Sequence, residues 1–345
     1  MAKVDKHIEI VRSTTNGLSS MSMRSANAIL GVLERHYTDV QITAVNNYAD
    51  LESIASRQPD LVFTGMKYIP GATPGTKVWI SEFLDIHGLE HTGSSFAAIE
   101  YEQSKPLAKQ RVQTYGIPTA RHMVLKKGQA YADEDIMLQF PLFVKPASLG
   151  GGAGIDENSC VRTMDELRTR VSCLTERYTS PALVEEYLPG REFSVAILTD
   201  QESGELEAMP IELSAPTDKF GNPALTREVK AANEEVILPV NEPILRARII
   251  STAKEAFAAL GARDYGRIDI RLDEQGTPHF LEANLIPSLI SGYGSFPKAC
   301  MLNKGLGYEE TILRIVSLAF GRRAGQTTEA HGRADDMFVA MPVLV

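Results

Sequence analysis

The sequence has 345 residues, of which 43% are hydrophobic and 23% are charged, and these values are typical of a folded globular protein. A chain of this length favours two or three packed domains. Its 35 basic residues are outnumbered by 44 acidic ones, giving a net charge of −9. This balance argues against a nucleic acid as the partner, although a single nucleotide needs only a few local cations. Three cysteines without metal-binding spacing exclude a disulfide scaffold and a zinc finger.

The amino-terminal segment lacks the apolar stretch of a secretory signal. No apolar run approaches the roughly 18 residues that cross a bilayer. We therefore expect a cytoplasmic protein with no membrane partner.

Short apolar runs alternate with helical stretches in the first 100 residues. Strands are predicted over 7–11, 42–45 and 61–63, and helices over 27–35 and 79–86. Strand–helix alternation of this kind predicts a parallel sheet with crossover helices.

The pattern changes further along the chain. A helix is predicted over 105–115, a glycine-rich loop over 150–154 and a strongly amphipathic helix over 246–260. Strands are predicted over 142–144, 183–188, 193–198, 267–272 and 279–283, and the last two are joined by a turn that predicts a hairpin. The segment from 321 onward is predicted to lie outside the core.

The predicted hairpin carries a cluster of polar side chains. Because side chains alternate along a strand, Arg267 and Asp269 face away from the apolar side. Glu282 and Asn284 share a face of the return strand, so pairing of the strands brings them beside Asp269. Two carboxylates and an amide oxygen form the oxygen-only set that Mg²⁺ prefers. The alternative is a solvated sheet face with a few ion pairs.

The glycine-rich loop has neither the P-loop pattern nor the dinucleotide fingerprint. Its exposed N–H groups can still hold phosphate oxygens, and the alternative is a simple turn rich in glycine. Lys109, Lys145 and Lys230 are spaced around it and can act as point charges near phosphates. Each lysine alone is more typical of an exposed surface position.

These features follow one another in a characteristic order, with the stretches VEEYLPGREFSVAIL, YGRIDIRLD and LEAN and a preceding HTGS. The order resembles the ATP-grasp superfamily, and most of all its D-alanine–D-alanine ligase branch, over roughly residues 5 to 320. The resemblance implies an α/β (α+β ATP-grasp) fold and suggests a possible homodimer. It implies a parallel α/β pre-ATP-grasp domain (1–104), a central lid subdomain (105–186), a catalytic subdomain with an antiparallel sheet (187–320) and a tail (321–345).

The resemblance also implies roles for particular residues. ATP would lie between two sheets, in contact with Lys109, Lys145, Gly151, Gly152, Glu185, Glu186, Leu188, Glu192 and Lys230. Two Mg²⁺ (or Mn²⁺) ions would bind Asp269, Glu282 and Asn284. Arg267 would stabilise the oxyanion of the tetrahedral intermediate, with Lys230 on the phosphates and Ser288 also in the catalytic set.

The substrate half departs from the family pattern. No acidic residue lies between Glu9 and Glu34, and Ser20 falls where the family has a glutamate that binds an amino group. Further departures, all at substrate-recognition positions, are Gly151 and Ala231 in place of Ser and Tyr, Ser288 in place of Gly, and Tyr293 in place of Ser.

These departures predict an ATP-dependent carboxylate–amine ligase that works through an acyl phosphate, with a donor or an acceptor other than D-alanine. Its substrates would be a small carboxylate and an amine, either amino acids or their derivatives. The alternatives are a genuine D-alanine–D-alanine ligase, a non-catalytic ATP-binding scaffold and an oxidoreductase that uses the amino-terminal α/β domain.

Overall fold

The computed structural model describes residues 2–15, 18, 20–178, 180–214 and 236–326. The predictions for Lys230 and Ala231 lie outside the described residues, as does most of the predicted tail. Within the described part of the chain, no helix has the length and apolar character needed to cross a membrane.

The amino-terminal domain is built on a parallel sheet with the strand order β2-β1-β3. The alternation predicted from the sequence is thus confirmed. Ile8 and Ile10 of the central strand are fully buried, and α1 begins where the Ser22 side chain accepts a hydrogen bond from the Ser25 amide. The elements are β1 (Val4–Arg12), α1 (Met23–His36), β2 (Tyr37–Ala44), α2 (Tyr48–Arg57), β3 (Leu61–Thr64), a hairpin of β4 (Tyr68–Pro70) and β5 (Lys77–Trp79), α3 (Ile80–Ile86) and α4 (Phe96–Gln103).

A four-stranded antiparallel sheet follows, with the order β6-β9-β7-β8. Its apolar face is covered by one helix, whose Leu167 and Leu174 pack against Val144 and Val184. The strand predicted to reach 188 ends at Glu186, because Glu186 is opposite Leu142, the first residue of the neighbouring strand. The elements are α5 (Lys105–Thr114), β6 (His122–Leu125), β7 (Leu142–Pro146), β8 (Cys160–Val161), α6 (Met164–Arg177) and β9 (Ala182–Glu186).

A five-stranded antiparallel sheet forms the rest, with the order β12-β11-β10-β13-β14. On one face, Ile249 and Phe257 of the long helix pack against Ile268 and Ile270. The other face shares a core with the amino-terminal sheet through the last two helices. The elements are β10 (Glu192–Thr199), β11 (Leu206–Ser214), β12 (Val236–Pro239), α7 (Pro243–Ala259), β13 (Tyr265–Leu272), β14 (Pro278–Asn284), α8 (Ser295–Lys304) and α9 (Tyr308–Gln326).

The last helix extends past the predicted start of the tail. It continues to Gln326, inside the segment predicted as tail. Phe320 packs against the shared core, and Arg322 forms an ion pair with Asp264. The Arg322 contact gives the first residues of the predicted tail a tertiary partner, which their glycine- and arginine-rich sequence does not indicate.

Candidate active site

The β13–β14 hairpin brings the predicted polar cluster together. Asp269 is opposite Glu282 and Arg267 is opposite Asn284, with a register shift after Asp269. Ile268 is fully buried on the other face, as the alternation predicts. The hairpin and the predicted proximity of Asp269 to Glu282 and Asn284 are therefore confirmed, whereas the register shift was not predicted.

Asp269 is the centre of a hydrogen-bond network. Its carboxylate accepts from Arg267 Nε at 2.9 Å and Nη2 at 2.8 Å, and from the Ser194 hydroxyl at 2.8 Å. Asn284 Nδ2 donates to the same carboxylate at 3.1 Å. Burial opposes protonation of Arg267, but the charge of Asp269 outweighs it and raises the pKa of the guanidinium. Arg267 is thus a permanently charged group in one fixed orientation, since its Nη1 also donates to Ser295 at 3.0 Å.

A second cluster holds one carboxylate between two lysines. Glu185 of β9 lies 2.6 Å from Lys145 Nζ and 3.0 Å from Lys109 Nζ. Lys109 is fully buried and also donates to the Thr119 hydroxyl at 2.7 Å. Lys109 comes from α5 and Lys145 from β7, so the cluster ties a helix to two strands of the four-stranded sheet.

The charges in this cluster determine its protonation states. Burial opposes ionisation of Glu185, but Lys109 and Lys145 outweigh it and lower the pKa of the carboxyl to about 2. Burial, helped by the nearby Lys145 charge, lowers the pKa of Lys109. The pKa of Lys145 is raised, because Glu185 and Glu282 outweigh the effect of burial. Lys145 therefore retains a positive charge that can interact with a ligand.

Two adjoining clefts meet at the hairpin. The intersheet cleft lies between the two antiparallel sheets and is lined by Phe143, Lys145, Ile155, Glu185, Glu186, Tyr187, Leu188, Glu192, Asp269, Arg271, Leu281 and Glu282. The interdomain cleft, of about 440 Å³, lies between the hairpin and the amino-terminal domain. Its lining includes Ser20, Ser22, Ser25, Lys67, Gly151, Arg267, Asn284, Ser288, Tyr293 and Ser295. Glu192, Asp269 and Glu282 border both clefts.

Most of the predicted site residues therefore lie on one of these walls. Two described ones do not: Lys109 is sealed behind Glu185, and Gly152 is buried in the glycine-rich turn. Gly151 is exposed and has a φ of 65°, a left-handed conformation that suits glycine.

The segment between β9 and β10 is fixed by an arginine. Arg271 donates to the Tyr187 hydroxyl at 2.9 Å and to the Gly190 carbonyl at 3.2 Å, and pairs with Glu192 at 3.2 Å. The Glu186 side chain instead pairs with Arg121 at 3.1 Å. Leu188 and Glu192 are in this way held at the rim of the intersheet cleft.

Lys105 is a site residue that the sequence analysis missed. It is buried at the start of α5, where Nζ donates to the Leu149 carbonyl at 2.5 Å and lies 3.4 Å from Glu282 Oε2. Burial lowers the pKa of this ammonium group. The sequence held one signal for it, namely its position in the first turn of α5. A cation there interacts unfavourably with the helix dipole, so a lysine at that position is expected to have a partner.

A cleft between two antiparallel sheets, with a buried lysine on one and a carboxylate hairpin on the other, defines an ATP-grasp enzyme. The family profile described as "D-ala D-ala ligase C-terminus" matches residues 112–317. The chain belongs to the D-alanine–D-alanine ligase family. It is accordingly an ATP-dependent, ADP-forming ligase that joins a carboxylate to an amine through a C–N bond.

Curated relatives match across most of the chain. It is 29% identical over 300 residues to the D-alanine–D-alanine ligase of Hydrogenovibrio crunogenus, covering 86% of this chain and 90% of that one. It is 27% identical over 304 residues to that of Geobacter sulfurreducens, covering 87% and 90%. It is 30% identical over 288 residues to the uncharacterized protein y4sG of Sinorhizobium fredii, covering 82% and 81%.

The fold is similar to that of solved ligases. The D-alanine–D-alanine ligase from Bacillus anthracis complexed with ATP superposes with a TM-score of 0.74 at 20% identity, covering 94% of this chain and 100% of that one. The predicted fold class and the predicted family resemblance are both confirmed.

Proposed function

We propose that the protein couples a small carboxylic acid without a free α-amino group to an amine, instead of joining two molecules of D-alanine. The observation that carries this proposal is the amino-terminal wall of the interdomain cleft. Among the described residues, this wall offers the hydroxyls of Ser20, Ser22 and Ser25 and the ammonium of Lys67, but no carboxylate. A buried substrate ammonium without a carboxylate partner would cost several kcal/mol.

The acidic residues that do line the interdomain cleft belong to the ATP site in this proposal. Glu192, Asp269 and Glu282 also border the intersheet cleft, where we place ATP. Lys145 then contacts the phosphates, with Gly151 and Gly152 in the loop that covers them. Glu186 and Leu188 line the adenine site and Glu192 holds the ribose. In this arrangement Lys109 does not contact ATP but holds Glu185 in place through their ion pair. The role of Lys230 stays a prediction.

The hairpin residues also fit the metal ions expected for this chemistry. Asp269, Glu282 and Asn284 supply only oxygen ligands, which suits two Mg²⁺ or Mn²⁺ ions. No group of three or more His, Cys, Asp or Glu side chains positioned for a metal occurs among the described residues. The site therefore needs the Asn284 amide and phosphate oxygens to complete it. Bound metal ions would neutralise the negative charge of the phosphates.

The reaction that we propose has two steps. A substrate carboxylate oxygen attacks the γ-phosphorus of ATP, so an O–P bond forms while the bond to ADP breaks. The amine nitrogen then attacks the acyl carbon, and inorganic phosphate leaves as the amine loses a proton. Arg267 is the fixed donor for the oxygen that gains charge in the second step. Ser288, at the rim of the same cleft, orients the substrate.

A genuine D-alanine–D-alanine ligase is the second candidate. The names of the relatives from Hydrogenovibrio and Geobacter favour it. Both candidates use the same ATP site, so they differ in the substrate rather than in the chemistry.

Purified protein with ATP, Mg²⁺ and pools of carboxylic acids and amines distinguishes the two candidates. We expect phosphate release and a new amide mass with a carboxylic acid other than D-alanine. The highest kcat/KM with D-alanine alone would contradict the proposal.

The same assay tests the role of Arg267. Arg267→Gln should lower turnover about 10²–10³-fold, because an oxyanion donor is lost. Arg248→Gln, at an exposed position on α7, is the matched control and should keep full activity. Equal turnover in the Arg267 variant and the parent protein would remove Arg267 from the mechanism.

A further inference from the structure

Lys67 is a cationic side chain on the substrate side of the interdomain cleft. It follows β3 and lines the cleft with Gly65 and Met66, but it does not border the intersheet cleft. Its side chain is 15% exposed, so it is accessible yet largely enclosed. The mechanism proposed above gives it no role.

The structure holds this lysine in place from behind. The Ile80 amide donates to the Lys67 carbonyl at 2.9 Å, and Lys67 Nζ lies 2.8 Å from Glu102 Oε1. Glu102 is only 4% exposed and does not line the cleft. An ammonium group already oriented in this way loses little conformational freedom when it binds an anion.

A second, very small cavity also borders Lys67. This cavity of about 10 Å³, enough for one water molecule, is lined by residues that include Lys67, Ser81, Thr64 and Thr92. Ser81 Oγ and Glu102 Oε2 are buried without a hydrogen-bond partner in the protein.

The charge of Lys67 is felt by its neighbours. Burial, followed by the Lys67 charge, lowers the pKa of Lys77, and Lys67 also contributes to the lowered pKa of the buried Lys105. Among the described residues, the cleft acids lie on the wall shared with the intersheet cleft. The amino-terminal wall therefore presents one ammonium group, paired with Glu102 behind it, and no carboxylate in its lining, which suits a carboxylate ligand better than an ammonium group.

We propose that Lys67 binds a second carboxylate of the substrate, at the end remote from the carboxyl group that is phosphorylated. The substrate class is then a short dicarboxylic acid. This inference rests on the proposed function and deepens it, because it states what replaces the amino group that the cleft does not accommodate.

Paired substrates of matched size test this assignment. Succinate is compared with succinamate and glutarate with glutaramate, each with ATP, Mg²⁺ and a pool of amino acids, while ADP formation is followed. We expect the parent protein to favour the dicarboxylate at least 10-fold in kcat/KM. Lys67→Gln should remove that preference by raising KM for the dicarboxylate, with kcat/KM for the monoamide within about 2-fold of the parent value.

Lys77→Gln is the matched control. It removes the same charge from the neighbouring hairpin, on a side chain that does not line the cleft, and should keep the preference. Because Lys67→Gln leaves Glu102 buried and unpaired, the double variant Lys67→Met/Glu102→Gln is measured alongside it. If dicarboxylate and monoamide lose activity equally in folded variants, Lys67 has only a structural role and the assignment is wrong.

A binding measurement separates this inference from the proposed function. The melting temperature is followed with a non-hydrolysable ATP analogue, Mg²⁺ and succinate or glutarate. Stabilisation by a dicarboxylate that disappears in Lys67→Gln supports the site even if no substrate pair is turned over, in which case the proposed function alone fails. Stabilisation that is unchanged in the variant overturns the assignment.

Discussion

The carboxylate of Glu185 balances two buried ammonium groups, and its removal takes away the carboxylate that pairs directly with each of them. Breaking a buried ion pair typically costs about 3–5 kcal/mol. We therefore expect Glu185→Gln to lower the free energy of unfolding by about that amount and to weaken ATP binding through a displaced Lys145. Urea denaturation and nucleotide titration measure the two effects. Glu157→Gln, at an exposed position in the same subdomain, should change neither.

The pH dependence of this effect has a definite sign. The pKa of Glu185 is lowered from 4.5 to about 2 in the folded protein. Its ionisation therefore adds stability above about pH 4.5, and that stability is lost as the pH falls toward 2. The difference in unfolding free energy between the parent protein and Glu185→Gln should shrink when urea denaturation is repeated from pH 6 down to pH 3.5. A difference independent of pH would mean that the carboxylate is not the ionised partner.

The sequence identified the residues that carry the chemistry of the site, but it did not identify which of them contact one another. Lys109, Lys145 and Glu185 were all singled out in the sequence, but their mutual contact was not. Lys109 and Glu185 belong to a helix and a strand far apart in the chain, so only the tertiary fold brings them together. The partners of Lys105 and Lys67 depend on long-range packing in the same way.

At the scale of elements, the turn before β10 depends on a close backbone approach. A Cβ added to Gly190 would lie 2.6 Å from both Cβ and O of Leu272, and the Gly190 amide donates to that same carbonyl. Gly190→Ala should therefore destabilise the protein by about 1–3 kcal/mol through overpacking. It should also weaken ATP binding, since Glu192 lies only two residues further along the chain. Denaturant unfolding and nucleotide titration give both values.

The control for this variant lies in the glycine-rich loop. Gly150 has no heavy atom within 4 Å of an added Cβ and no left-handed φ. Gly150→Ala should leave stability within about 0.5 kcal/mol of the parent value. If both alanine variants lowered the free energy of unfolding by the same small amount, the close approach to Leu272 would not be what requires glycine at position 190.

Elements whose sequence has a clear hydrophobic periodicity and a clear turn signal were predictable. The β13–β14 hairpin followed from alternating side chains and a short turn, although the register shift after Asp269 did not. The start of the tail could not be predicted from local sequence. Contacts of Phe320 and Arg322 with distant parts of the chain extend helix α9 beyond it. Local sequence decides whether an element forms, whereas tertiary contacts decide where it ends.

For the whole molecule, the junction between the amino-terminal domain and the five-stranded sheet centres on Asp264. This buried residue has a φ of 62°, its carboxylate accepts from the Gly93 amide at 3.0 Å, and its carbonyl accepts from the Thr199 amide at 2.7 Å. Arg322 of α9 pairs with the same carboxylate and donates to the His91 carbonyl. One arginine thus connects the last helix, the first domain and the start of β13.

Removing that arginine should loosen the two halves of the molecule. Arg322→Gln leaves the Asp264 carboxylate buried with a weaker partner, and we expect a loss of about 2 kcal/mol in unfolding free energy. Amides of β1 and β3 should exchange faster with solvent, since their domain loses an anchor. Arg35→Gln is the matched control, because Arg35 joins α1 to α9 through Glu309 in a pair exposed on both sides (55% and 45%). Exposed pairs contribute about 0–1 kcal/mol, so equal losses in the two variants would show that burial at Asp264 does not couple the domains.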